Sequence, residues 1–172
     1  GCILLGSRAF AATHGLTYGI ELAGWGMTAD AHHVVAPNPV TVRRCVEETI
    51  RHAGIGPADI DAVNAHAAST KIGDRVESDV LREVFPSGVP PVSACKSQIG
   101  HAMGASSAIE SILAMEGMRR GILLPTIHHR PDPEIPLDCV AEGPRNLDQE
   151  FVLKNAFGFG GCNACLVFHR VN

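Results

Sequence analysis

At 172 residues and 18.2 kDa, the chain is long enough for one domain with a genuine core. Apolar residues at 45% and charged residues at 19% exclude a disordered chain. Fourteen Lys and Arg against eighteen Asp and Glu, net −4, leave no basic footprint for nucleic acid and no stripe for a membrane surface. Residues 2–6 and 17–27 read as strands, the second interrupted by Gly24 and Gly26. Asn38 followed by Pro39 marks a helix start, a capping side chain before a proline at the first helical position. Val42, Cys45, Val46, Thr49 and Ile50 form that helix's apolar face, and Gly54 stops it. A short strand is predicted at 60–64, then a helix with Ile72, Val76, Val80 and Val84 along its core face. Residues 91–94 read as a strand and 104–118 as a helix whose Gly, Ala and Ser start predicts burial between layers. The stretch 125–145 carries five prolines and reads as a surface connection. Residues 151–156 and 163–170 alternate as strands across the glycine turn 158–161, a hairpin. Strands alternating with helices, then a hairpin, predict an α/β fold with a mixed β-sheet layered with helices.

No apolar run approaches the ~20 residues of a membrane span, and no basic-then-apolar leader opens the chain. A soluble, cytoplasmic domain is expected, with reduced thiols. The six cysteines, Cys2, Cys45, Cys95, Cys139, Cys162 and Cys165, are scattered and read as core residues. Cys162-Asn-Ala-Cys165 is formally C-x-x-C, but it runs straight into Leu166-Val167-Phe168, so packing is favoured over redox or zinc chemistry. No metal site is expected.

Three segments place polar groups just after strands, where α/β folds collect their sites. They are Asn64-Ala65-His66-Ala67-Ala68-Ser69-Thr70, then Lys96-Ser97-Gln98-Ile99-Gly100-His101, then Asn155-Ala156-Phe157-Gly158-Phe159-Gly160-Gly161-Cys162-Asn163. A lone histidine after a strand is usually structural. Two of them, a lysine at a strand end and a glycine turn make an oxyanion site the better reading. Imidazoles can donate to a developing oxyanion, and a glycine turn can aim backbone N–H groups at it.

These segments, in this order and spacing, resemble the C-terminal half of a β-ketoacyl-[acyl-carrier-protein] synthase, a condensing enzyme of the thiolase-like superfamily. The resemblance also runs through 24–31 and Leu124-Pro125-Thr126, so it covers nearly all of residues 1–172. Residues 1–8 resemble the strand that closes the family's N-terminal half. By this resemblance His66 and His101 are the histidines that act in malonyl decarboxylation and stabilise the enolate. Lys96 is the lysine beside the second of them, and Glu110 is its acidic partner, either structural or tuning. Phe159 is the gating phenylalanine whose N–H joins the oxyanion hole, supported by Gly158 and Gly160. Asp74 and Glu77 fit the family pattern as structural residues. The resemblance further implies no bound cofactor, a phosphopantetheine arm as substrate carrier, an acyl carrier protein as partner and a dimer when complete.

Two departures concern the pantetheine route. The family's Gly-Thr after the first histidine is Ala67-Ala68 here, leaving Thr70 with Ala68 as the candidate substrate contacts. The entrance loop offers Val35-Ala36 before Pro37 where the family often has Thr-Ser. Each lost hydrogen bond is worth about 1 kcal/mol. The family's nucleophilic cysteine belongs to the N-terminal half, and none of the six cysteines stands in a matching motif. That half must come from the same or a separate chain. The favoured reading is therefore the histidine-bearing half of a decarboxylating Claisen condensing enzyme of fatty-acid or polyketide biosynthesis. The alternative is a non-catalytic, chain-length-factor-like or scaffolding subunit of a ketosynthase heterodimer.

Overall fold

Helix caps and close backbone contacts set the element boundaries. The computed structural model describes residues 1–171. Along the chain run α1 (Arg8–Thr13), β1 (Ile20–Ala29), α2 (Pro39–His52), β2 (Ala62–Asn64), α3 (Lys71–Val84), β3 (Val92–Ser93) and α4 (Lys96–Ile99). Then come α5 (Ser106–Arg120), β4 (Ile122–Leu123), β5 (Arg145–Asn146), β6 (Phe151–Gly158) and β7 (Cys162–Arg170). Asn38 caps α2 as expected, its side chain accepting the Val40 N–H at 3.0 Å. Thr70 caps α3 by accepting the Gly73 N–H at 3.2 Å.

Five strands form one sheet in the order β1-β7-β6-β2-β3. The β1–β7 and β6–β7 pairs are antiparallel, whereas β2 runs parallel to both β3 and β6. The sheet is mixed, as the alternation of elements predicted. Alternate residues of β6 face opposite layers. Leu153 packs with Val42 and Val46 of α2 and Val80 and Leu81 of α3. Val152 packs with Met118 of α5 and Phe168 of β7. Helices thus cover both faces, and β6 is sandwiched between them.

β1 continues through its two glycines with a register shift between Leu22 and Gly24, and Gly24 and Gly26 admit α2. A Cβ on Gly24 would lie 2.5 Å from the Thr49 carbonyl oxygen, and one on Gly26 2.5 Å from Thr49 Oγ1. Backbone contact this close excludes any side chain.

Several expectations are corrected. Residues 2–6 form no strand; they are exposed and, among the described residues, share no ladder with a neighbour. A strand without a partner leaves its backbone groups to water. The short α1 was not foreseen because it buries no residue and so has no apolar periodicity, only a Ser7 cap. Ile72 is 61% exposed in the first turn of α3, and the buried face is instead Glu77, Ser78, Val80, Leu81 and Val84. The small-residue start of the 104–118 helix is exposed at Gly104, Ala105 and Ser107, and burial begins at Ser106 and Glu110. Cys45, Cys95 and Cys165 are buried thiols, but Cys2 and Cys162 are exposed. Three residues apart on β7, Cys162 and Cys165 belong to opposite faces, so they do not form a paired site. The pairing of β4 with β5 was also not predicted; it is two residues per strand, too short for any pattern.

Candidate active site

The carboxyl ends of β2 and β3 and the turn after β6 bring the three polar segments together. His66 follows β2 directly. Its backbone is held on both sides: the His66 N–H donates to Glu77 Oε1 at 2.9 Å, and its carbonyl accepts from Lys96 Nζ at 2.6 Å. Its ring packs on His101, with centroids 5.6 Å apart at 82°, and on Phe157 at 5.5 Å. Among the described residues neither ring nitrogen has a hydrogen-bond partner.

His101 is oriented through Nδ1. That atom accepts the Met103 N–H at 3.2 Å and faces Ser106 Oγ at 3.0 Å. An Nδ1 that accepts carries no proton, so the neutral ring holds its N–H on Nε2.

The loop beyond His66 is strained. Ala67 has φ +34° and Ser69 φ +63°, a region that favours glycine. Ala67 therefore occupies a left-handed position without glycine's freedom, at a cost of order 1 kcal/mol. Glu77 compensates, taking the Ala67 N–H on Oε2 at 2.8 Å. The same carboxylate accepts from Asn155 Nδ2 at 3.0 Å, which ties β6 to the loop. Asp74 accepts the Thr70 N–H at 3.2 Å, and burial pushes its carboxyl above the usual range.

The glycine turn lies beside this loop. Phe159 is 66% exposed, which rejects core packing for its ring. Among the described residues its N–H has no acceptor. Gly160 and Gly161 have φ +77° and +79°, and the Gly160 N–H donates to the Val34 carbonyl at 2.8 Å. A Cβ on Gly161 would fall on Asp30 Cβ. Asp30 in turn accepts from Asn38 N–H at 2.8 Å and from Asn163 Nδ2 at 2.6 Å, and Thr41 donates to it as well. The turn is therefore pinned to the 31–37 segment that carries Val35 and Ala36. A cavity of about 560 Å³ opens on the other side of the 65–69 loop, between α3 and the 126–139 segment, lined by Ala68, Asp74, Lys96, His101, His129 and Leu137 among others.

The β-ketoacyl synthase C-terminal domain matches this chain over residues 20–130. The chain belongs to the β-ketoacyl synthase family. It is 37% identical over 171 residues to 3-oxoacyl-[acyl-carrier-protein] synthase 2 of Mycobacterium tuberculosis, covering 98% of this chain and 41% of that protein. It thus spans about two-fifths of that relative's length. Superposed on the ishigamide ketosynthase/chain length factor it gives a TM-score of 0.92 at 34% identity, covering 96% of this chain and 41% of that one. On AntDE:AntF, an acyl-carrier protein in complex with its ketosynthase, the TM-score is 0.91 at 28% identity, covering 96% and 42%. The fold is thiolase-like.

Within this synthase domain, His66, His101, Lys96 and Glu110 converge. Lys96 meets Glu110 Oε1 at 2.6 Å with both side chains buried. Thr70 Oγ1 accepts the Gly73 N–H in the helix cap and keeps its O–H as a donor. Glu77, expected to be structural, sets the His66 backbone. One group was missed. Lys154, on β6, places Nζ 2.7 Å from Glu110 Oε2 and was not singled out. The available signal was a lysine in mid-strand, between Leu153 and Asn155, where both faces had to be buried. Burial raises the Cys95 thiol pKa, which the hydrogen bond from Asn64 Nδ2 to its Sγ at 3.2 Å partly opposes. Among the described residues no helix is long and apolar enough to cross a membrane.

Burial, then the charges of Lys96 and Lys154 and the neighbouring His101, hold the His66 pKa at about 3, against an ordinary 6.5. Between those values the unfolded chain binds the extra proton, so stability falls as pH drops below 6.5 toward 3. By pH 5 His66 alone is expected to remove about 2 kcal/mol. Urea denaturation at pH 7 and pH 5 measures this, and His66→Asn is expected to flatten the dependence by that amount. An equal pH dependence in the two proteins would show that His66 is not held neutral.

Proposed function

We propose that this chain is the histidine-bearing half of a decarboxylating condensing enzyme that joins an acyl thioester to malonyl-carrier protein. The carrying observation is the pair of imidazoles in edge-to-face contact at 5.6 Å, one held neutral by burial and the other oriented through Nδ1. In the proposed reaction the bond to the malonyl carboxylate breaks and carbon dioxide leaves. The electron pair passes into the thioester, and His66 and His101 donate hydrogen bonds to the enolate oxygen. The α-carbon then attacks the acyl carbonyl, and the nucleophile's thiolate departs. The N–H of Phe159, with Gly158 and Gly160 shaping the turn, stabilises the acyl oxyanion. The nucleophilic cysteine comes from an N-terminal half outside residues 1–172. Ala68 and Thr70 line the approach of a phosphopantetheine arm, and the acyl carrier protein and dimerisation complete the assembly. The carrier-protein complex among the similar structures supports that partner.

The test is release of labelled carbon dioxide from malonyl-carrier protein by the whole protein that contains this chain. Release well above the enzyme-free rate is expected. An inert protein that still forms a stable heterodimer with a ketosynthase would reverse the reading, in favour of a chain-length-factor-like or scaffolding subunit.

A further inference from the structure

Lys154 is the bulkiest fully buried side chain of the fold, and its side chain is 1% exposed. Its Nζ lies 2.7 Å from Glu110 Oε2 and also donates to the Asn155 carbonyl, two residues before the Phe157 ring that packs on His66. Lys96 approaches the other carboxylate oxygen at 2.6 Å while donating to the His66 carbonyl. One carboxylate therefore serves two ammonium groups. A structural ion pair needs only one lysine, and burying a second cation without its own counter-ion is costly. The surplus lies against the histidine site.

We propose that Lys154 is a second positioning lysine, sharing Glu110 with Lys96 so that a second buried ammonium group stands behind His66 and favours an anion forming between His66 and His101. This rests on the decarboxylation reading above. The charged and titratable groups around His66 come from every packed element: Lys96 from α4, Lys154 from β6, His101 from the segment before α5, Glu77 from α3 and Glu110 from α5. The two lysines oppose protonation of His66 after burial has done most of that work. Burial lowers the Lys154 pKa, and the Glu110 carboxylate beside it opposes that shift. Removing the Lys154 charge must therefore ease protonation of His66 and weaken stabilisation of the anion.

The experiment uses the whole protein with Lys154→Gln, Lys154→Met and Lys154→Arg. Glutamine keeps a hydrogen-bond donor without the charge, methionine keeps the apolar stem, and arginine keeps the charge. Ring 15N shifts of His66, assigned by their loss in His66→Asn, report its protonation from pH 4.5 upward within the folded range set by circular dichroism. Decarboxylation of malonyl-carrier protein is measured in parallel. Lys154→Gln and Lys154→Met are expected to raise the protonated fraction of His66 at pH 4.5 from about 3% to roughly 10–25%, the effect of a rise of about half to one pH unit from about 3. They should lower kcat about tenfold with KM nearly unchanged, the mark of an interaction made only in the transition state. Lys154→Arg should restore both readouts toward the unsubstituted protein. An unmoved protonated fraction at pH 4.5 in both neutral variants, or the same rise in Lys154→Arg, overturns the proposal. Failure of both neutral variants to fold assigns Lys154 to the core alone and overturns it equally. If the unsubstituted protein does not decarboxylate, the catalytic reading falls by itself; the nitrogen titration then decides whether Lys154 sets the charge at His66.

Discussion

His66→Ala and His101→Ala are each expected to cut malonyl decarboxylation by about 100-fold or more, the loss typical of removing one preorganised oxyanion donor. Acyl transfer to the nucleophile should stay within several-fold of normal. The two steps place their charge differently. In the proposed mechanism thioester exchange develops an oxyanion on the acyl carbonyl, assigned to the Phe159 N–H on the exposed glycine turn. Decarboxylation would develop it on the malonyl thioester, assigned to the imidazoles 5.6 Å apart. His101→Ala also frees the Met103 N–H that now donates to Nδ1, so His101→Asn serves as the control that offers a polar group there. Burst-phase acylation and labelled carbon dioxide release, read on the same variants, separate the steps. Equal loss of both would mean that the histidines support the fold rather than the enolate, and unmutated decarboxylation in both would reject the assigned roles.

The resemblance to the family was legible because its residues sit where backbone geometry leaves little choice. The turn at Gly160 and Gly161 needs positive φ, and Asp30 leaves no room for a Cβ at Gly161. Asn38-Pro39 and Thr70 announce helix starts by cap chemistry alone. What stayed hidden depends on three-dimensional partners. Ile72 has the spacing of a core residue but lies in a first turn that no layer covers. Residues 2–6 have strand composition and no strand beside them. Cys162 looked buried by type, yet it opens β7 at the exposed end of the hairpin. Lys154 was obscured for a related reason. Its value lies in a contact 44 residues away, to Glu110, which no local pattern records.

Long-range contacts of this kind also explain how the site tolerates its own departures. Ala67 holds a left-handed conformation only because Glu77 takes both its N–H and that of His66. Through Asn155 the same carboxylate fixes β6, and through Lys154 that strand is fixed again to Glu110 on α5. Two acidic side chains, one from each helical layer, therefore hold opposite faces of the strand that leads to the glycine turn. Loop strain, histidine orientation and turn position are coupled through them.

Glu110→Ala is accordingly expected to be the most damaging single substitution for stability, at about 3–5 kcal/mol, the cost of breaking a buried pair. The reason is the asymmetry between making and breaking such pairs. With Glu110 intact, each ammonium has one carboxylate oxygen, at 2.6 and 2.7 Å, and one backbone carbonyl. Without it, two side chains that are 6% and 1% exposed would keep their charge with no counter-ion, or lose a proton in order to stay folded. A chain of this size should lose roughly 2–4 °C of Tm per kcal/mol, so a fall of roughly 6–20 °C is expected. Glu110→Gln, which retains one acceptor oxygen but no charge, should fall between Glu110→Ala and the unsubstituted protein. Replacing all three groups together, as Glu110→Leu with Lys96→Met and Lys154→Met, should recover most of the stability, because no buried charge is then left unpaired. Chemical denaturation of the four proteins at one pH measures the series. A loss below about 1 kcal/mol for Glu110→Ala would place the cluster among hydrated surface pairs. The charge assigned to Lys154 would then have no desolvated setting in which to act.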